Sequence, residues 1–142
     1  MIDYNTDFYG WTQEQAALLR AGRLSELDME NLIEEVETMG RSEKRALESR
    51  LTILLLHMLK WQYQPARRGR SWKLSIDEQR LQFQRIFIDN PGLKSEIDKI
   101  MLDAYQLAIL KAANETGLET DTFPPECPWS IEQATVSGFY PE

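Results

Sequence analysis

The stretch Arg50–Gln64, R-L-T-I-L-L-L-H-M-L-K-W-Q-Y-Q, stopped by Pro65, decides the fold. Between Leu51 and Leu59 only Thr52 and His57 are polar. A helix that is apolar nearly all the way round has to be covered on most sides, so this segment reads as the central post of a helical domain. It is far shorter than the roughly 20 apolar residues that a bilayer crossing requires, and His57, Lys60 and the flanking arginines break it. It is therefore a core helix and not a membrane span.

Around this post the apolar residues recur at helical spacing. On the N-terminal side, Tyr4 to Gly10 reads as an irregular aromatic arm, and Trp11-Thr12-Gln13-Glu14-Gln15 as a helix start in which Thr12 caps the Gln15 amide and the Gln15 side chain reaches back to the cap amide. Gly22 stops that helix. Ser25, with Asp28 three residues on, opens a second helix, along which Met29, Leu32, Ile33, Val36 and Met39 mark the inward face. Gly40 leaves two readings open: a break before a new cap at Ser42, which is preferred, or one longer helix, since glycine inside a helix costs only about 1 kcal/mol. Leu47, Leu51, Leu54, Leu55 and Met58 then form the inner stripe of the third helix.

C-terminal to the post, Pro65 to Arg70 reads as a loop. A fourth helix over about Ser71–Asn90 places Trp72, Ile76, Phe83, Ile86 and Phe87 on one face, and Asn90-Pro91-Gly92 turns the chain. A fifth, from Leu93 to about Glu115, buries Ile97, Ile100, Met101, Ala104 and Ala108 and stops at Gly117. The proline-rich run Phe123–Trp129 cannot be a long helix, and Ser130 to Gln133 suits a last short one. The echo of W-T-Q-E-Q-A at Trp11 in W-S-I-E-Q-A at Trp129 reads as one local device used twice, an aromatic before a capped helix start. The expected fold is all-α: a single-domain bundle of about five helices over residues 1–142, with an N-terminal arm over 1–11 and an irregular Pro/aromatic tail over 118–142 packed on it.

With 142 residues, the chain is long enough to bury a sizeable core without a disulfide or metal. The single Cys127 and the lack of a leader-like pattern before Tyr4 point to the cytoplasm. The net charge of −7 disfavours nucleic acid and anionic membrane as partners of the whole surface, but the charge is segregated. Ser25–Glu43 holds seven acids against one base, Lys60–Arg85 seven bases against two acids, and Glu115 onward six acids and no base.

Four passages taken together resemble a family: D-F-Y-G-W-T-Q-E-Q-A-A-L-L-R-A-G, E-N-L-I-E-E-V-E-T-M-G-R-S-E-K-R, L-L-L-H-M-L-K-W-Q-Y-Q-P and F-P-P-E-C-P-W-S-I-E-Q. The chain is similar over nearly its whole length to the bacterial, largely cyanobacterial, domain of unknown function 29. The resemblance implies an all-helical cytoplasmic domain, and it brings no catalytic residues to carry over.

Three groupings are candidates for chemistry. Glu34, Glu35 or Glu37 could pair with His57 or Lys60 if the second and third helices packed antiparallel, a polar cluster that would fix register or serve a site. With Glu30 added, the same glutamates and His57 could be imagined as a metal-dependent hydrolase. The Glu-x-x-His pairs of a di-iron bundle are absent, however, so a solvated acidic face is preferred and no metal or cofactor is expected. Arg67, Arg68, Arg70 and Lys73, interleaved with Trp61, Tyr63 and Trp72, have the composition of an anion or nucleic-acid patch. The competing reading, in which these cations pair internally and the aromatics are core, is preferred. Cys127 lacks a neighbouring base to lower its pKa, and no P-loop, dinucleotide glycine pattern or zinc signature occurs. The function expected is thus a non-enzymatic helical module contacting a protein partner or a second copy of itself.

Overall fold

The computed structural model describes all 142 residues. It is all-α, with helices α1 Phe8–Arg20, α2 Met29–Tyr63, α3 Arg70–Asp89, α4 Ile97–Thr116 and α5 Ile131–Thr135, short 3-10 segments between them and no strand. The chain divides within α2 into two compact units, Met1–Ser42 and Glu43–Glu142.

In the N-terminal unit, α1 begins earlier than Thr12. Asp7 is the cap, its carboxylate accepting from the Gly10 amide at 2.9 Å, and a β-carbon at Gly10 would collide with that carboxylate. Thr12 lies a turn inside the helix and donates to the Tyr9 carbonyl at 2.7 Å. Phe8 to Gly10 are consequently helical and not part of an irregular arm. Gln15, expected to close its own capping box, is buried and instead accepts from the Asp28 amide at 2.8 Å. Asp28 in turn opens α2: its carbonyl accepts from Leu32 at 2.9 Å, and its carboxylate takes the Trp11 indole at 2.9 Å and the Asn31 side chain at 2.8 Å. Those donors hold the Asp28 carboxyl below the usual carboxylate range. Ser25 sits in the 3-10 turn Leu24–Glu26 and starts nothing.

Gly40 does not break the chain, since α2 runs unbroken from Met29 to Tyr63. Its position is exposed, with nothing within 4 Å of where a β-carbon would stand. Interrupting a helix forfeits main-chain hydrogen bonds on both sides and requires a new nucleus, which outweighs the roughly 1 kcal/mol intrinsic cost of glycine. Arg41 spans the point as well, reaching Glu34 at 3.4 Å and Glu37 at 3.6 Å. The expected second and third helices are therefore one.

The C-terminal unit is built on the quoted stretch. Leu47, Leu51, Leu54, Leu55, Met58 and Leu59 have no solvent exposure. Ile76 and Phe83 from α3, Ile100 from α4 and the small residues Ala104, Ala108 and Ala112 complete the core around them. Pro91–Glu96 is a 3-10 segment, so α4 starts at Ile97 rather than at Leu93, and Gly117 ends it in the left-handed conformation at φ 77°. The tail lies on this core. Phe123 packs edge-on against Tyr63 with ring centres 5.2 Å apart, the Tyr105 hydroxyl donates to the Pro124 carbonyl at 2.7 Å, and Trp129 is buried. Ser130 and Gln133 make a complete capping box for α5. The two Trp-containing echoes thus differ: the second precedes a capped helix start, while Trp11 lies inside α1.

Candidate functional site

The five residues of the expected polar cluster all lie on α2, so there are no two antiparallel helices to bring them together. Glu37 and His57 are separated by more than five turns of that helix. Each has its own partner. Glu35 accepts from the Tyr4 hydroxyl, Glu34 and Glu37 face Arg41, and His57 Nδ1 bonds the Ile53 carbonyl of its own helix at 2.8 Å. Lys60 donates to Glu115 at 3.0 Å and lies 4.9 Å from the centre of the Trp72 ring. No group of three or more His, Cys, Asp or Glu side chains is gathered in a geometry that could hold a metal ion. Burial pushes the Cys127 thiol up, away from the reactive thiolate.

The basic stretch is largely spent inside the C-terminal unit. Arg68 donates to the Trp61 carbonyl at 2.6 Å and to the main-chain oxygen of Glu142 at 2.9 Å, with its guanidinium 5.3 Å from the Trp61 ring centre. Lys73 lies 5.7 Å from the Tyr140 ring, and Trp61 and Tyr140 pack together at 5.1 Å. Trp72 carries Lys60 over its face, so the rings a base would stack on are already occupied. Arg67 and Arg70 are exposed and make no ion pair, and two isolated arginines are a small electrostatic footprint.

A different surface emerges in the N-terminal unit. Within Met1–Ser42 only Trp11 and Gln15 are buried. Met29, Ile33, Val36 and Met39, expected to face inward, are 50–61% exposed, and Phe8 and Leu19 of α1 about half exposed. Leu32, of the same series, is half-buried. These residues are not scattered. Phe8, Ala16 and Leu19 of α1 and Leu32, Val36 and Met39 of α2 line one apolar hollow of about 310 Å³ between the two helices. Spacings of four, three and seven along α2, and of eight, three and eleven along α1, place each set on one helical face. Glu35 stands at the edge, and the unit as a whole holds nine acids against three bases, a net −6, leaving −1 for the other hundred residues. The sequence carried a signal for this surface: residues 1–42 supply too few other apolar groups to cover the face of α2, and a chain segment that short buries little of itself.

The fold and this surface define an all-α protein that carries an open, apolar helix-pair face with an acidic surround. The chain belongs to the family described as domain of unknown function DUF29, whose model matches residues 4–140 and so spans both units. No curated protein and no solved structure matches it. No helix is long and apolar enough to cross a membrane.

Proposed function

We propose that the chain is a protein-interaction module that seats an amphipathic helix with basic flanks in the hollow between α1 and α2. The observation that carries this reading is the exposure of Leu19, Val36 and Met39 along the hollow, in a unit whose net charge is −6. Apolar side chains at helical spacing along a groove are what a partner helix uses as anchoring pockets. Contiguous exposed apolar surface of this kind marks an interaction site rather than ordinary solvent-facing surface. Charge selects the occupant. A second copy would bring another −6 against the first, whereas a basic-rimmed helix meets the acids of α2 with opposite charge. A cytoplasmic setting, where thiols stay reduced, suits the free Cys127.

Fluorescence anisotropy with two labelled synthetic helices, one of leucine and lysine and one of leucine and glutamate at the same apolar spacing, tests the reading. The basic helix binds the full chain and the acidic one does not. Val36→Ser, which changes no charge, weakens binding by about tenfold, as expected of a central apolar contact. Equal binding to parent and Val36→Ser would reduce the effect to bulk charge and sink the proposal. A stable dimer in light scattering that excludes the basic helix would hand the hollow to a second copy and overturn the assigned occupant.

A further inference from the structure

Between α3 and the C-terminal end of α5 lies a cavity of about 490 Å³, with Asp77, Arg80, Leu81 and Gln84 on one side and Thr135, Val136 and Ser137 on the other. Arg80 is 3% exposed. Its Nε donates to the Ala134 carbonyl at 2.9 Å, and the Tyr140 ring centre is 5.5 Å from its guanidinium carbon. Nη1 and Nη2 are buried without a hydrogen-bond partner. Asp77, on the same helix, makes no ion pair with Arg80 and instead accepts from the Tyr140 hydroxyl at 2.6 Å. Burial draws the guanidinium below its ordinary pKa, while Tyr140 and Asp77 act in the opposite direction. A lysine so placed would shed its proton; arginine stays charged.

A buried cation that its nearest carboxylate, Asp77, stabilises only from a distance is disfavoured, and so is each unpaired N–H. An arginine present only to cap the end of α5 would be complete with its Nε bond, yet four of its five N–H donors sit on the two unpartnered nitrogens. The terminal fork of a guanidinium matches two oxygens of one carboxylate or phosphate. The rest of the cavity suits an organic body: Leu81 and Val136 are apolar and half exposed, and Gln84, Thr135 and Ser137 offer hydrogen bonds beside them.

We infer that this cavity binds a small organic oxyanion, its charged head on Nη1 and Nη2 of Arg80 and its carbon body against Leu81 and Val136. Because the two nitrogens have no solvent contact in the free chain, uptake requires the groups that cover them to move. The site lies wholly within the C-terminal unit and is independent of the α1–α2 hollow.

The test uses the full chain labelled with nitrogen-15 arginine, titrated with inorganic phosphate, phenyl phosphate and hexanoate at constant ionic strength. Phenyl phosphate or hexanoate saturates the protein, shifts the Arg80 side-chain signals and binds about tenfold more tightly than inorganic phosphate, since only they fill the apolar part. Whichever of the two saturates identifies the head group as phosphate or carboxylate. Arg80→Lys loses the fork and, at this buried position, the fixed charge as well, and weakens binding by at least about tenfold. Val136→Asp, at an exposed position where the fold is retained, sets a negative charge at the rim and weakens it by at least about as much. If no probe saturates, or if Val136→Asp binds as the parent does, Arg80 is a strut for α5 and the inference is overturned.

Discussion

Both halves of α2 carry apolar residues at helical spacing, yet they should behave oppositely under mutation. Leu55 has no solvent exposure and lies in the middle of the core of the C-terminal unit, so Leu55→Ala removes buried carbon and leaves a void that rigid neighbouring helices close only partly. The expected loss is about 2–5 kcal/mol, a large part of the roughly 5–15 kcal/mol that stabilises a domain. Val36 is 61% exposed, and Val36→Ser should change stability by less than about 0.5 kcal/mol. With urea slopes of about 1–3 kcal/mol per molar, Leu55→Ala lowers the midpoint by about 1 M or more, while Val36→Ser stays within a few tenths of a molar of the parent. Circular dichroism at 222 nm against urea reads both. The converse holds for binding: Val36→Ser weakens binding of the basic helix by about tenfold, and Leu55→Ala, where still folded, leaves it unchanged. Should Val36→Ser unfold as early as Leu55→Ala, the face of α2 is already packed in the free chain, and the case for a docking surface fails with it.

Two further outcomes follow from the N-terminal unit. Gly40→Ala should raise stability by about 0.5–1 kcal/mol, because the site is helical, exposed and empty around a β-carbon; a lower urea midpoint would mean that α2 does bend there. Asp28 has a pKa held below its ordinary 3.8, so its ionised form stabilises the fold fully above that value, and the contribution disappears as pH falls below it through the depressed one. The gap in midpoint between the parent and Asp28→Asn should accordingly be the same at pH 7 and pH 5 and shrink at pH 3. A gap unchanged at pH 3 would show that the Trp11 and Asn31 donors do not depend on the charge.

Local chemistry was enough for much of the architecture. The apolar run Leu51–Leu59 had to be a buried post, because no exposed helix can be apolar all round, and Gly117 and the Ser130–Gln133 box mark ends whose geometry depends on only a few neighbouring residues. Tertiary structure decided whatever depended on a distant partner. Gln15 has the spacing to cap its own helix but bonds Asp28, and Asp28 is held by Trp11, a choice between near and far hydrogen bonds that spacing cannot express. Gly40 was balanced between two readings differing by about 1 kcal/mol, and the hydrogen bonds continuing on both sides settled it. Arg80 could have drawn notice as a charge in line with Ile76, Phe83 and Phe87, yet only the fold shows that its fork is left without an acceptor. Periodicity, finally, reports that Met29, Ile33, Val36 and Met39 share a face. Whether that face is covered depends on how much apolar surface the rest of the N-terminal unit brings to it, and in three dimensions that unit buries one tryptophan and one glutamine.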